Sequence, residues 1–147
     1  MGKVLVVYHT LSGNTQKAAE AIGEGARGVK GTEVEVKDGL KAGPEDLTAC
    51  DAIAVGTPDY FSYMAGGLKD FFDRCFYPTQ GKVADKLCAI FVTHGGGGRA
   101  VESVKSICAS FKFKVVGEPL LVKGAPDAQA LKALAALGRS LAEAVKK

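Results

Sequence analysis

Thr10-Leu11-Ser12-Gly13-Asn14-Thr15 packs four side-chain hydrogen-bond donors around one glycine. The segment follows an apolar run, Val4–Tyr8, and opens directly into a helical pattern, Thr15–Arg27. The chemistry of such a loop is anion binding. The first N–H groups of a helix have no partners within it, and the helix dipole puts partial positive charge there. Thr10, Ser12, Asn14 and Thr15 add side-chain donors, and Gly13 lets the backbone approach closely. A phosphate held here meets neutral donors rather than lysines. The pattern is neither G-x-x-x-x-G-K-[ST] nor G-x-G-x-x-G, so neither the triphosphatase nor the dinucleotide fingerprint is present. A well-capped strand-to-helix turn is the plain alternative, because Ser, Thr and Asn are favoured caps.

Two more loops carry unusual chemistry. Thr57-Pro58-Asp59-Tyr60-Phe61-Ser62-Tyr63-Met64 places three aromatics and a methionine in a connection that ought to be solvated. Aromatics at a ligand edge offer a stacking surface for a flat ring; the alternatives are a cluster folded under the loop or a dimer contact. Thr93-His94-Gly95-Gly96-Gly97-Gly98-Arg99 contains the chain's only glycine run. It leaves room for a ring close to the main chain, or forms a flexible lid. His94 reads as a hydrogen-bonding wall rather than a general acid, and Arg99 as solvent-facing. No residue is assigned a catalytic role, and no metal site is read.

The elements that position these loops alternate throughout. Apolar runs at Val4–Tyr8, Ala52–Gly56 and Leu87–Thr93 have the composition of strands buried on both faces. Glu33–Lys37 alternates polar and apolar, which predicts a half-exposed edge strand, and Lys114–Val122 supplies the fifth. Helices are predicted at Thr15–Arg27, Met64–Phe76, Ala100–Phe111 and Asp127–Lys147, with a short Pro-started turn at Pro44–Leu47. Five strands with intervening helices imply a parallel sheet with right-handed crossovers. Such sheets bind ligands beyond the carboxyl ends of their strands, where strand order reverses. The three unusual loops follow the first, third and fourth strands.

A length of 147 residues suits a single domain over residues 1–147, with a core that requires no staples. Net charge is +3 with dispersed basic residues, which argues against nucleic acid and against a polybasic membrane patch. No apolar run approaches a membrane span, and the opening strand pattern is unlike a secretory signal, so a cytoplasmic location without membrane attachment is expected. Cys50, Cys75, Cys88 and Cys108 are far apart, form no C-x-x-C, and read as buried thiols.

Together the loops resemble the flavodoxin family. The order [S/T]-x-[S/T]-G-N-T after a first strand is similar to its phosphate loop. The stretch G-T-P-D-Y-F-S-Y-M-A-G-G-L-K-D-F-F-D-R resembles the family's G-[ST]-P-x-Y-F-G-x-M-x-x-x-[LM]-K-x-F-[LI]-D segment, shared with related NAD(P)H:quinone oxidoreductases. The resemblance spans nearly the whole chain. It implies an α/β three-layer sandwich with a five-stranded parallel sheet in the order 2-1-3-4-5 and helices on both faces. It also implies noncovalent FMN. By position, Thr10, Leu11, Ser12, Gly13, Asn14 and Thr15 would hold the phosphate. Thr57, Pro58, Asp59, Tyr60, Phe61 and Tyr63 would flank the ring on one side, and Thr93, His94, Gly95 and Gly96 on the other.

Three departures bear on function. The chain is slightly basic where electron-carrier flavodoxins are acidic, it has no Trp, and Asp59–Tyr63 contains no Gly. In carriers, a glycine-containing peptide flips to accept a hydrogen bond from the one-electron reduced ring. With Ser62 in that place, a turn to positive φ is expected to cost more. The chain is also too short for the insertion of long-chain flavodoxins. Two functions are therefore in competition: electron transfer between redox partner proteins, and reduction of a quinone or flavin by NAD(P)H. A flavin-free binding domain is a weaker third, opposed by the intact phosphate loop.

Overall fold

The architecture was obtained as a computed structural model, which describes residues 2–146. In chain order the elements are β1 (Gly2–Tyr8), α1 (Asn14–Arg27), β2 (Thr32–Asp38), α2 (Pro44–Ala49), β3 (Ala52–Tyr60) and β4 (Tyr63–Met64). There follow α3 (Gly66–Cys75), a 3₁₀ turn (Tyr77–Thr79), β5 (Leu87–His94), α4 (Ala100–Ser110), β6 (Lys114–Val115), β7 (Leu120–Lys123) and α5 (Ala128–Val145).

Period-two alternation sorts each central strand between two cores. Leu5, Val7, Ile53, Val55, Cys88, Ile90 and Val92 join Leu68, Phe71, Phe72 and Val104 under α3 and α4. Val4, Val6, Ala52, Ala54, Ala89 and Phe91 face the other way, onto Ala18, Ala19, Ile22, Leu134 and Leu141 of α1 and α5. Helices thus cover both faces, as a parallel sheet buried on both sides requires. α1 and α5 approach until their backbones touch. A Cβ on Gly25 would lie 1.9 Å from the Ala135 carbonyl oxygen, and one on Gly138 would lie 1.9 Å from that of Ile22.

The sheet runs β2-β1-β3-β5-β6, with β4 added to β3 and β7 to β5. With β6 and β7 taken as one interrupted fifth strand, this is the expected order. Parallel register aligns the carboxyl ends: Tyr8 lies beside Asp38 and Gly56, and Pro58 beside Thr93. The loops after β1, β3 and β5 therefore emerge side by side.

The structure corrects four expectations. The fifth strand is not continuous over Lys114–Val122. It breaks at Val116–Pro119, where Gly117 has φ +68° and Pro119 has no N–H to give the ladder. Met64 belongs to the β4 hairpin rather than to α3, which starts at Gly66. Pro44–Ala49 is a six-residue helix rather than a single turn. The predicted closing helix to Lys147 ends at Val145, and Lys147 lies outside the described residues.

Candidate functional site

The loop after β1 is shaped by Gly13, whose φ of +98° is open only to glycine at low cost. Its N–H donates to the Thr10 hydroxyl at 2.9 Å, closing the loop on itself while the Thr10 hydroxyl keeps its own proton to give outward. No side chain caps α1, and its first turn contains no acidic residue. The N–H groups of that turn face a space edged by exposed Leu11 and Ser12 and half-buried Asn14. Thr15 points the other way. Its side chain is buried, and its hydroxyl lies 2.8 Å from that of Thr93 at the end of β5. Only one of the two hydroxyls donates across this contact, so the other retains a proton for a further acceptor.

The loop after β3 is a two-residue hairpin. Tyr60 pairs with Tyr63, and Phe61 and Ser62 between them have φ of +59° and +62°, the signature of a type I′ turn. Positive φ at Ser62 was expected to cost more than at a glycine, and the fold adopts it at rest. Asp59 holds it there. One carboxylate oxygen accepts the Ser62 N–H at 2.9 Å, and the other accepts the Ala100 N–H at 3.2 Å, at the start of α4. A carboxylate at a helix N-terminus is electrostatically favoured. Asp59 thus clamps the hairpin to the glycine loop. Thr57 is likewise engaged inside the protein, donating to the Pro58 carbonyl at 2.7 Å and accepting the Ala65 N–H at 2.8 Å. The aromatic surface comes from Phe61, which is fully exposed, Tyr63, which is 46% exposed, and half-buried Tyr60. A cluster folded under the loop is ruled out for Phe61.

In the third loop, Gly95 and Gly96 are exposed and border open space. His94 is half-buried, and its Nδ1 is fully buried with no hydrogen-bond partner. A buried unpartnered nitrogen costs free energy until something meets it. Arg99 faces solvent, as expected. The structure thus brings the first and third loops together through Thr15 and Thr93, and the second and third through Asp59 and Ala100.

Sequence reading passed over His9. Its Nδ1 lies 3.3 Å from the Asp38 carboxylate, which also accepts the Leu40 N–H at 2.8 Å, and its ring packs on Gly67. Matching the ends of the first two strands was the available signal, because Tyr8 and Asp38 share a register line. Burial first, then the Asp38 and Glu20 carboxylates, push the Tyr8 phenol above its ordinary pKa.

This arrangement has donors for a phosphate, a flat apolar surface and an unsatisfied nitrogen, but no armed nucleophile. The thiols are withdrawn: burial lifts Cys50 to about 11 and Cys75 to about 12. Cys88 is raised by its contact with Cys108, 3.8 Å away, and by burial. The residues present at this edge fit a phosphate-bearing ring.

Residues 3–127 match the family described as NADPH-dependent FMN reductase. A flavodoxin of Aquifex aeolicus (strain VF5) is 39% identical over 121 residues, the match covering 80% of this chain and 65% of that protein. The chain therefore spans just under two thirds of that relative. An NAD(P)H dehydrogenase (quinone) of Acidithiobacillus ferrooxidans is 32% identical over 144 residues, covering 81% of this chain and 72% of that one. Among solved structures, a flavodoxin from the domain Archaea superposes with a TM-score of 0.90 at 29% identity, covering 99% of both chains. Flavodoxin 1 of Bacillus cereus shares the fold, with a TM-score of 0.82 at 21% identity over 99% of this chain and 100% of that one.

Proposed function

The chain belongs to the flavodoxin-like family of NADPH-dependent FMN reductases, and from that premise we propose that it binds FMN noncovalently at the three loops and transfers electrons between partner proteins. The observation that carries this reading is the uncapped, acid-free N-terminus of α1 held beside β5 by the buried Thr15–Thr93 contact. Bound FMN supplies one- and two-electron redox chemistry at its ring.

The chain's own residues do the rest. The first-turn N–H groups of α1, with Ser12, Asn14 and the outward proton of Thr10, receive the phosphate. Phe61, Tyr60 and Tyr63 offer an apolar face to the ring and exclude water from it. His94, at the end of β5 beside Gly95 and Gly96, would flank the ring on the other side. Through its carboxylate Asp59 holds the hairpin and the glycine loop at a fixed separation. Among the described residues no helix is long and apolar enough to cross a membrane.

A second reading, reduction of a quinone by NAD(P)H, is favoured by the identity to the Acidithiobacillus protein and by the hairpin, which the Asp59 clamp holds against rearrangement. One experiment separates the two. Protein loaded with FMN, desalted and kept anaerobic is mixed with NADPH and a quinone, then with a reduced electron-carrier protein. Rapid flavin reduction by the protein donor alone supports the carrier. Multiple turnovers of NADPH with the quinone promote the reductase. Failure to retain FMN near a 1:1 ratio, with the fold intact, overturns both.

A further inference from the structure

At the amino end of the sheet, the connection from α3 to β5 and the end of α4 enclose a cavity of about 210 Å³. Phe76, Val83 and Phe111 give it apolar walls, and Gln80, Ser110 and Lys112 supply its polar groups. Phe76 and Phe111 meet edge to face with ring centroids 5.2 Å apart, so part of the wall is aromatic. Two contacts fix the walls. The Asp85 N–H donates to the Lys112 carbonyl at 2.7 Å, and the Thr79 hydroxyl donates to the Cys75 carbonyl at 2.8 Å. A preformed space with apolar walls and a few polar groups is the make-up of a small-molecule site. Its volume is that of about seven waters, which suits one ring with a short side chain and is too small for a nucleotide.

Charge selects what enters. The two segments that form the cavity, residues 79–86 and 110–114, carry Lys82, Lys86, Lys112 and Lys114 against one carboxylate, Asp85. Lys86 is spent on the Thr48 and Cys50 carbonyls. Ser110 donates to the Ser106 carbonyl at a long 3.4 Å. Gln80 and Lys112 are exposed, and among the described residues neither the Gln80 amide nor the Lys112 ammonium has a hydrogen-bond partner. A free ammonium and a free amide beside an aromatic wall match a flat apolar body that carries one anionic group.

We propose that this cavity binds a small aromatic carboxylate, its ring among Phe76, Val83 and Phe111 and its carboxylate at Lys112 and Gln80. The site lies at the amino end of β5, whereas the flavin loops lie beyond the carboxyl end of that eight-residue strand, about 25 Å away. The ligand therefore does not meet the ring, and its binding does not depend on the flavin reading. It joins the α3–β5 connection to α4, the helix whose first residue, Ala100, is held by Asp59.

Amide NMR titration of the full chain, with and without FMN, tests this with phenylacetate as the probe. Saturable shifts centred on Gln80, Phe111 and Lys112 are expected at about millimolar phenylacetate. Phenylacetamide, which has the same shape without the charge, is expected to bind about tenfold more weakly, and acetate not to saturate. Lys112→Asn removes the ammonium at an exposed position whose φ of +62° Asn tolerates, so the variant keeps its fold. It should erase the preference for phenylacetate over phenylacetamide and leave FMN retention unchanged. Lys123→Asn, at the opposite end of the sheet, should leave that preference intact. Absence of saturable shifts at these residues overturns the proposal. So does equal affinity for the acid and the amide, or a preference that Lys112→Asn leaves in place.

Discussion

The hydroxyls of Thr15 and Thr93 meet at 2.8 Å across 78 residues of sequence, in a place where both side chains are buried. This contact ties the start of α1 to the end of β5, and so fixes the first loop relative to the third. Neither hydroxyl has water to fall back on. Removing one partner leaves the other buried and unsatisfied, which costs about 1–3 kcal/mol, whereas removing both is milder. Thr15→Val is therefore expected to lower stability by that amount in urea unfolding. The double variant Thr15→Val with Thr93→Val should recover part of the loss. Equal, additive losses from the two substitutions would show that the contact carries no coupling.

Ser12 presents the opposite case, because it is exposed and bonds to nothing in the protein among the described residues. Ser12→Ala should leave stability within about 0.5 kcal/mol of the parent, as surface substitutions usually do. A hydrogen bond to a charged phosphate is worth about 1.5–3 kcal/mol, so FMN should bind roughly 10- to 100-fold more weakly. Fluorescence titration against FMN and against riboflavin reads this directly. A loss equal for both ligands would place Ser12 away from the phosphate.

Much of this fold was legible because its signals are local. The apolar runs of β1, β3 and β5, the alternation of β2 and the periodicity of the helices appear in the order the structure shows. The positions of the three loops followed from the sheet rule alone. What stayed hidden depends on contacts between distant residues. The Asp59 carboxylate reaches the Ala100 N–H, 41 residues away, and nothing in its sequence neighbourhood shows that contact. His9 carries no local signal of its role, because its partner Asp38 ends a different strand. The Phe61–Ser62 turn was misread for a related reason. Left-handed backbone at two non-glycine residues is unfavourable locally, and it persists because β4 pairing and the Asp59 carboxylate outweigh its cost.

Acid should loosen the connection between β2 and α2 as the Asp46 carboxylate is protonated. Burial raises the Asp46 pKa, but the Lys37 ammonium at 2.8 Å and the Gly43 N–H at 2.9 Å outweigh it and bring the carboxyl below its ordinary value. A depressed folded pKa means that the unfolded chain binds protons first. The stabilisation is full above the unfolded value of ~3.9 and is lost as pH falls through the folded one. Asp46→Asn should therefore flatten stability against pH in that acid window and cost roughly 1 kcal/mol at neutral pH. Parallel unfolding curves for parent and variant through the acid range would contradict this assignment.

The hairpin makes the sharpest prediction about electron transfer. Stabilising a one-electron reduced ring needs a backbone acceptor that appears in that state and not in the oxidised one. Rotating the Phe61–Ser62 peptide converts a type I′ turn into a type II′ turn, in which only the first central residue keeps positive φ. Ser62, now at +62°, would return to the ordinary negative region. Phe61, at +59°, would keep positive φ with a ψ that glycine alone adopts readily. The barrier therefore lies at Phe61, whereas sequence reading placed it at Ser62. Ser62→Gly is expected to relieve left-handed strain and stabilise the protein by about 1 kcal/mol, with little effect on the one-electron state. Phe61→Gly should free the rotation and increase the fraction of one-electron reduced flavin seen during anaerobic dithionite titration. It also removes an aromatic from the ring face, so FMN affinity must be measured alongside. If Ser62→Gly increases that fraction and Phe61→Gly does not, the peptide moves by another route and the clamp at Asp59 does not restrain it.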